Sequence, residues 1–371
     1  MEGKRTKLST TKTILIAPLD WGLGHATRCI PLINLLIEKN HRIVIAGNGD
    51  SFFLLKENYP TLTFYELPGY NIKNTAGKNA ALQSLLQTPK ILRTIKAENA
   101  VIHAIAKSET IDIILSDNRY GVWHPNIKSV FICHQIALQA PAPFRFMSSV
   151  FLKLHLAQIH KFDALWIPDE EGAENLSGIL SHDIKFKIPH QYIGIQSRFY
   201  QYAKTPSFID TLDFDILVIL SGVEPQRTFL EKELKKKLTL RKEKILLVQG
   251  KTTSFIKTEE GNITTVSYLN TNDLLVALQK AKSIICRSGY STIMDLAVLE
   301  KKAILIPAEG QTEQEYLAKT LSEKGYAVAC SQKNLLLEEA FLQLENCKGF
   351  PKHIADIKKL ETAINSLFEQ W

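Results

Sequence analysis

The turn Cys286-Arg287-Ser288-Gly289-Tyr290-Ser291-Thr292-Ile293-Met294-Asp295 follows a short apolar run, Ala281 to Ile285. A second polar turn, Glu309-Gly310-Gln311-Thr312-Glu313-Gln314-Glu315-Tyr316, follows the apolar run Ala303 to Pro307. Each run predicts a buried parallel strand, and each turn predicts the start of a helix. Open α/β sheets bind ligands at the carboxyl edge of their strands. The two turns therefore predict an α/β fold with a ligand site at that edge.

The first of these turns has the residues of an anion site. Ser288, Gly289 and Thr292 lie where a strand becomes a helix, so free backbone N–H groups and a close backbone approach suit a diphosphate. Asp295 falls in the first helical turn, where a carboxylate can accept both hydroxyls of a ribose. Thr292 and Asp295 also have the spacing of a capping box, in which Asp295 satisfies a backbone donor only. Spacing alone leaves both interpretations open.

A third turn of the same kind begins the second half of the chain. The apolar run Asp215 to Leu220 leads into Ser221-Gly222-Val223-Glu224-Pro225-Gln226-Arg227. Backbone N–H groups at Ser221 and Gly222, with the Arg227 guanidinium, suit the phosphate of a ligand. The alternative is a plain loop with Arg227 on a solvated helix face. No Asp-x-Asp pair occurs in a suitable loop, so no divalent metal is expected to carry the ligand.

The amino-terminal part contains a glycine-rich turn and a candidate base. The apolar run Thr13 to Pro18 leads into Asp20-Trp21-Gly22-Leu23-Gly24-His25 and a predicted helix that continues to about Lys39. As a phosphate fingerprint, Gly22 and Gly24 are weak, because the third small position and a P-loop lysine are missing. His25 has a side chain suited to proton transfer near neutral pH. Asp20 is the rival base or the residue that orients His25; helix capping by His25 is the alternative.

Two further predicted strands bring polar residues to the same edge. Asp117 and Arg119 follow the run Ile111 to Leu115, and His134 and Gln135 follow the run Ser129 to Cys133. Three roles are open for Asp117: it is a base, a residue that binds the acceptor, or a residue that forms the turn. Loops that converge on one edge favour a shared cleft for an acceptor substrate.

These motifs resemble the GT-B glycosyltransferases. Arg287-Ser288-Gly289 with Thr292 and Asp295, and then Gln314-Glu315, are similar to their donor half. Gly24-His25 is similar to a glycine-rich loop of the family that adds N-acetylglucosamine to a lipid-linked muramyl-pentapeptide. The resemblance implies that Asp295 holds the donor ribose and that Gln314 and Glu315 contact the transferred sugar. Because that family commonly has two glutamines at the latter positions, the identity of the sugar stays open.

The resemblance also implies the architecture, two Rossmann-like doubly wound domains that face a central cleft. We expect an acceptor domain at residues 1–205, a donor domain at 206–349 and a terminal helix at 350–371 that packs on the first domain. A long helix is predicted for residues 78–107, and a crossing segment for 192–206. Strands are predicted near Thr13, Arg42, Leu62, Ile111, Ser129, Asp163, Asp215, Lys244, Thr264, Ser283, Ala303 and Ala327.

Composition limits the other possibilities. The net charge is +7, but the Lys-rich segment Glu231 to Lys244 has no interleaved aromatic residues, so it predicts a solvated helix and not a nucleic-acid site. Five scattered cysteines favour a reducing compartment, and no apolar segment has signal-peptide or transmembrane length. A cytoplasmic protein is expected. The basic, amphipathic segment Phe144 to Lys161 is either a core-facing helix or a peripheral contact with the inner face of a membrane.

The residues and the resemblance together predict a metal-independent transferase, and the resemblance alone implies that it inverts the anomeric centre. It moves a hexose or N-acetylhexosamine from a UDP-sugar to an unidentified acceptor hydroxyl, with a lipid-linked acceptor as one alternative. No bound cofactor is expected, and uracil selection is expected from backbone groups around Tyr268-Leu269. Two other functions stay open: an epimerase or hydrolase of nucleotide sugars, and a regulator that binds a nucleotide sugar without chemistry.

Overall fold

The computed structural model describes residues 11–70, 80–137, 146, 148–200, 202, 205–222, 224–251, 254–352 and 356–370, with the backbone alone for 80–86 and 370. Within these ranges the strands form two seven-stranded sheets. The prediction of two Rossmann-like α/β units is confirmed, because each sheet is built mainly from parallel strands, most of them connected through helices. We call residues that pack on the first sheet the first domain, and those on the second sheet the second domain.

The first sheet is parallel throughout, with strand order β3-β2-β1-β4-β5-β6-β7. Its central strands are almost wholly apolar because helices cover both faces. The order reverses between β1 and β4, so their carboxyl ends leave a crevice. The strands are β1 (Thr13–Pro18), β2 (Arg42–Gly47), β3 (Thr63–Glu66), β4 (Ile113–Asp117), β5 (Lys128–Ile132), β6 (Ala164–Ile167) and β7 (His190–Tyr192).

The second sheet repeats this plan, with strand order β10-β11-β9-β8-β12-β13-β14. It is parallel except for the antiparallel pair β10 and β11. Here the order reverses between β8 and β12, which creates a second crevice. The strands are β8 (Ile216–Ile219), β9 (Ile245–Val248), β10 (Lys257–Glu260), β11 (Ile263–Val266), β12 (Ser283–Cys286), β13 (Ile304–Leu305) and β14 (Val328–Ala329).

Helices connect the strands on both faces of each sheet. The long predicted helix is present as α3, which begins at Ala80. The helices are α1 (Leu23–Glu38), α2 (Gly49–Asn58), α3 (Ala80–Ser108), α4 (Ser148–Ile159), α5 (Gln226–Leu238), α6 (Thr271–Lys280), α7 (Tyr290–Val298), α8 (Thr312–Glu323), α9 (Leu337–Asn346) and α10 (Lys358–Gln370). Single 3-10 turns lie at Gly178–Leu180 and Phe208–Thr211.

The terminal helix returns to the first domain. Leu360, Ile364 and Leu367 of α10 pack in the same hydrophobic cluster as Ile14 of β1. Phe350, by contrast, is buried in a cluster of the second domain, so the predicted helix begins later than residue 350. The change of sheet falls between β7 and β8, and the predicted boundaries at residues 205 and 349 stay predictions.

Two strands were not expected from the sequence. β7 has the sequence His-Gln-Tyr and is partly exposed at the sheet edge, so Tyr192 ends a strand and does not begin the crossing segment. β10 has the sequence Lys-Thr-Glu-Glu and is exposed along its length. Neither strand carries the apolar alternation that marks a strand in a sequence.

Candidate active site between the two sheets

His25 and Asp117 form a hydrogen-bonded pair in the crevice of the first sheet. Asp117 is the last residue of β4, and the parallel register places it beside Pro18 at the end of β1. His25 follows β1 in the first turn of α1. Its Nδ1 lies 2.8 Å from Asp117 Oδ1. Asp117 itself is fully buried, so it is neither an exposed base nor an acceptor ligand, and its contact assigns it to orient His25.

Arg28, one turn after His25, fixes the charge of this pair. Its Nε donates to Asp117 Oδ2 at 2.5 Å, and one of its terminal nitrogens donates to Oδ1. Burial alone would raise the pKa of Asp117, but Arg28 and then His25 outweigh it and hold that pKa well below its usual value. Burial and then Arg28 lower the pKa of His25, against the opposing effect of Asp117. The pair therefore consists of a carboxylate and a neutral imidazole at neutral pH.

Asp20 does not orient His25, which corrects the sequence-based hypothesis. Its Oδ2 accepts a hydrogen bond from Asn48 Nδ2 at 3.0 Å, and its Oδ1 lies 3.9 Å from Arg119. Arg119 is fully buried and pairs with Glu98 at 2.6 Å, while its Nε donates to the carbonyl of Pro18. The expected acceptor contact of Arg119 is therefore wrong in this structure, because the guanidinium supports the end of β1 from within the core.

His134 connects the first domain to the second. Its ring stacks on Tyr290 with the ring centroids 4.0 Å apart. Nδ1 lies 3.0 Å from a terminal nitrogen of Arg28, and Nε2 lies 2.8 Å from Glu313 Oε1 of α8. Gln135 follows it at the strand end and is partly buried. His134 is thus at the contact between the domains and not on an open acceptor surface.

The two predicted glycines of the first turn are needed for the conformation and packing of the backbone. Gly22 precedes α1 with φ of +88°, a conformation that favours glycine. A Cβ added at Gly24 would lie 2.7 Å from Ser291 Oγ, which donates a hydrogen bond to the Gly24 carbonyl at 2.9 Å. Gly24 therefore permits α1 and α7 to meet across the domain contact.

The start of α7 has open space in front of it. Gly289 precedes the helix, no side chain caps it, and a Cβ added there would meet no atom of the described chain within 4 Å. Ser288 is fully buried and donates to the Gln314 carbonyl, while Thr292 is partly buried. Gly222 has φ of +98° and equally open space. These turns offer backbone N–H groups to an anion, while the Ser288 hydroxyl is already bonded within the protein.

The two arginines near these turns differ. Arg287 is buried, and its contacts within the described ranges are to neutral oxygens, of which Gln332 Oε1 is nearest at 2.6 Å. Burial lowers the pKa of Arg287 to about 10. Arg227 instead pairs with Glu224 at 2.8 Å and donates to the Gly250 carbonyl, beside the partly buried Ser221. Of these two arginines, Arg287 is thus the one whose contacts among the described residues include no carboxylate.

Asp295 contacts the segment that crosses between the domains. Its carboxylate accepts hydrogen bonds from Ser197 Oγ at 2.6 Å and from Arg198 at 3.2 Å. The residue is 6% exposed, and burial raises its pKa despite the nearby Arg198. Each oxygen thus has one protein partner, so a ribose hydroxyl would either share the carboxylate with Ser197 and Arg198 or displace them. The predicted ribose contact stays a prediction.

Gln314 and Glu315 hold the turn before α8. Gln314 Oε1 accepts a hydrogen bond from Ala308 N, and Glu315 Oε1 accepts one from Gly310 N, each at 2.9 Å. Their predicted contact with a sugar is not tested by this arrangement. The neighbour Glu313, which sequence reasoning did not single out, is the residue of α8 that reaches across to His134.

Sequence reasoning also missed Arg28 and Tyr290. Arg28 lies three residues after His25, a spacing that places both on one face of a helix. That spacing was the available signal. Within the described ranges no group of three or more His, Cys, Asp or Glu side chains has an arrangement that could hold a metal ion.

Two parallel α/β domains that meet across a cleft define the GT-B architecture of glycosyltransferases, and solved structures show the same fold over nearly the whole chain. The glycotransferase of kitacinnamycin matches with a TM-score of 0.65 at 14% identity, covering 97% of this chain and 98% of that one. Phytolacca americana UGT2, complexed with UDP-2fluoro-glucose and pterostilbene, matches with a TM-score of 0.63 at 11% identity, covering 97% and 100%.

The second domain can be assigned more closely. Residues 216–366 match the Glycosyltransferase family 28 C-terminal domain, so this part of the chain is similar to that domain. The chain is a distant relative of the UDP-N-acetylglucosamine--N-acetylmuramyl-(pentapeptide) pyrophosphoryl-undecaprenol N-acetylglucosamine transferases. That of Desulforudis audaxviator is 32% identical over 106 residues, 28% of each chain. That of Alkaliphilus oremlandii is 31% identical over 129 residues, 33% of this chain and 34% of the relative. The matches thus span about a third or less of these relatives.

Proposed function

We propose that this protein transfers a sugar from a UDP-sugar to an acceptor hydroxyl, with inversion and with His25 as the base. The observation that carries the proposal is the His25–Asp117 pair, which lies at the cleft opposite a glycosyltransferase family 28 domain. Asp117 accepts the Nδ1 proton of His25, which leaves the Nε2 lone pair to take a proton. A neutral imidazole held in this way is the form that a general base requires.

The proposed reaction is a single displacement at the anomeric carbon. The acceptor O–H gives its proton to His25 Nε2 while the acceptor oxygen forms a bond to the anomeric carbon. The bond from that carbon to the diphosphate oxygen breaks, and UDP leaves with the electron pair. Asp117 stabilises the imidazolium that forms. Backbone N–H groups before α7, with the buried Arg287, offset the charge on the leaving diphosphate.

Donor selection is proposed to use the second domain alone. The uracil base of the donor would meet backbone groups around Leu269, as the sequence predicts. The transferred sugar would lie near Gln314 and Glu315. Asp295 would hold the ribose by exchanging its contacts with Ser197 and Arg198. Donor binding is thereby proposed to loosen the crossing segment.

Calorimetric titration tests the donor site. UDP, GDP and TDP, each beside a sugar conjugate, are titrated into the whole protein and into Gly289→Val. The valine fits the space before α7 and should remove UDP-sugar binding by covering the backbone N–H groups. Leu336→Val, at the exposed residue before α9, is the matched control and should bind normally. No nucleotide binding by the unaltered protein would overturn the proposed function.

Product analysis separates transfer from the two alternatives. UDP release that needs an added acceptor supports transfer. UDP release in water at the same rate would identify a hydrolase. Tight binding without any turnover, unaffected by His25→Ala, would identify a regulator.

We also propose a lipid-linked acceptor reached at a membrane surface. Phe146, Val150 and Leu154 recur every four residues along and just before α4 and are 78%, 48% and 61% exposed, with Lys153 exposed beside them. Phe144, Arg145 and Met147, which belong to the predicted amphipathic segment, lie outside the described residues. Among the described helices none is long and apolar enough to cross a bilayer. An exposed apolar stripe with a cation suits an interfacial contact.

Vesicle sedimentation tests this contact. The protein should bind vesicles that contain anionic lipid and bind neutral vesicles less. Leu154→Ser should weaken binding several-fold, whereas Leu342→Ser, at a similarly exposed leucine of α9, should not. Equal binding by both variants would contradict the membrane proposal without affecting the donor site.

A further inference from the structure

A chain of five polar side chains joins His25 to the second domain. His25 contacts Asp117, Asp117 contacts Arg28, Arg28 contacts His134, and His134 contacts Glu313. The first four residues belong to the first domain and lie in α1, β4 and the turn after β5. Glu313 alone lies in the second domain, in the first turn of α8. The last contact therefore exists only while the domains are together.

The tautomer of His134 follows from its partners. A guanidinium has donors only, so the Arg28 nitrogen 3.0 Å away must donate to His134 Nδ1. The ring proton is then on Nε2, which donates to Glu313 Oε1 at 2.8 Å. Burial would raise the pKa of Glu313, but the hydrogen bond and charge of His134, and then His25 and Arg28, lower it, so Glu313 is an ionised acceptor. Stacking on Tyr290 fixes the plane of the ring.

The tautomer of His25 depends on which of two neighbours its Nδ1 contacts. Its Nδ1 lies 2.8 Å from Asp117 Oδ1 and also 2.8 Å from a terminal nitrogen of Arg28. If Nδ1 carries the proton, it donates to Asp117 and Nε2 can act as a base. If Nδ1 accepts from Arg28, the proton is on Nε2 and His25 cannot take another proton from an acceptor. The position of the Arg28 guanidinium therefore decides which form prevails.

We propose that Glu313 is a positioning residue that fixes the tautomer of His134, holds Arg28 through it, and so keeps His25 in the tautomer that can act as a base. Without the Glu313 carboxylate, the Nε2 proton of His134 loses its acceptor and the ring is no longer held against Arg28. The guanidinium, which Asp117 still binds, then donates more fully to His25 Nδ1, 2.8 Å away, and this contact draws the His25 proton to Nε2. The base is thus complete only when the second domain is closed on the first. This role rests on the proposed function, in which His25 is the base.

Nitrogen NMR of the histidine rings tests the proposal without any substrate. Long-range proton–nitrogen spectra of the whole protein, assigned with His25→Gln and His134→Gln, report which ring nitrogen carries the proton. In the unaltered protein His25 should be protonated on Nδ1 and His134 on Nε2. In Glu313→Ala, His25 should become a mixture of both tautomers. Glu313→Gln should restore the original spectrum, because its amide oxygen accepts the same hydrogen bond.

Glu323→Ala, at an exposed glutamate of the same helix, is the control and should leave both rings unchanged. An unchanged His25 signal in Glu313→Ala would overturn the proposal, and so would an unaltered protein with His25 protonated on Nε2. Glu313 is 28% exposed, so its removal should be tolerated. If Glu313→Ala misfolds, His134→Leu, which offers Arg28 no acceptor, should give the same mixed His25 tautomers, and an unchanged His25 signal there would overturn the proposal.

Kinetics supply an independent readout. Glu313→Ala should lower kcat for the slow release of UDP from UDP-N-acetylglucosamine with water as the acceptor by about tenfold with KM unchanged, since loss of tautomer control in a catalytic triad costs up to about 10⁴-fold and the effect here is indirect. A raised KM with unchanged kcat would overturn the proposal in favour of a sugar contact. If no UDP-sugar binds at all, the proposed function fails, while the NMR result still decides the role of Glu313.

Discussion

The two edges of the cleft differ in what they present to a ligand, side chains at one edge and backbone at the other. The edge of the first sheet presents a connected set of side chains, with His25 and Asp117 at its centre and Arg28 behind them. The edge of the second sheet presents backbone at Gly222 and Gly289, with open space at both. Side chains suit proton transfer, which needs a particular atom and protonation state. Backbone N–H groups suit a diphosphate, which needs several donors at close approach.

His25→Ala is expected to have the largest effect and to separate the two edges. Loss of the base should lower the rate of sugar transfer by about 10²–10⁴-fold. UDP binding measured by calorimetry should stay within about twofold, because the second domain carries the donor site. His190→Ala, at an exposed histidine of β7, should change neither quantity. Loss of nucleotide binding in His25→Ala would show that the division between the edges is wrong.

Asp117→Asn should show how much the buried ion pair at the first edge contributes to the free energy of unfolding. The change leaves the buried Arg28 guanidinium without its carboxylate, and breaking such a pair costs about 3–5 kcal/mol. Asp213→Asn, in the exposed pair with Lys244, should cost less than about 1 kcal/mol. Urea unfolding measures both free energies. Equal losses would mean that the buried pair adds nothing beyond a surface ion pair.

Two glycine substitutions compare the edges directly. Gly24→Ala places a Cβ 2.7 Å from Ser291 Oγ and should cost about 1–3 kcal/mol, the usual range for overpacking. Combination with Ser291→Ala should recover part of that loss. Gly289→Ala meets open space and should change the unfolding free energy by less than about 0.5 kcal/mol. Thermal unfolding gives the comparison, and equal costs at both glycines would contradict it.

The pH dependence of the rate should be the smallest effect. A protonated His25 cannot accept a proton, so activity appears as pH rises through its pKa, which lies below the usual value of 6.5. More than half of the protein is then already active at pH 6.5, and the rate should rise less than about twofold from pH 6.5 to 8. A half-maximal rate above pH 7 would contradict the lowered pKa.

For the first edge, the sequence predicts many of the residues that lie there, but it does not predict which side chains contact one another. The sequence indicates His25, Asp117 and His134, because each follows an apolar run that predicts a strand. It leaves Asp20 open as a rival base or as the residue that orients His25. The actual partner is 92 residues away and is brought there by the parallel pairing of β1 with β4. Strand order, which decides that pairing, leaves little local trace in a sequence.

The second edge was easier to predict in its glycines than in its charged residues. Gly222 and Gly289 have the open backbone that the strand-to-helix turns suggest. Arg227 and Asp295 were expected to face a ligand, but they contact Glu224 and Ser197 respectively. A charged side chain near a predicted site has several protein partners within reach, and only the folded chain shows which one it takes.

The return of α10 to the first domain determines which segment of the chain can be exchanged for that of a relative. The family match extends to residue 366, yet Leu360, Ile364 and Leu367 complete the core of the other domain. A hybrid that exchanges everything after residue 205 with a relative would therefore bring a foreign helix into the first core. The unit that can be transplanted ends before Lys358, so the chain is modular in its sheets but not in its termini.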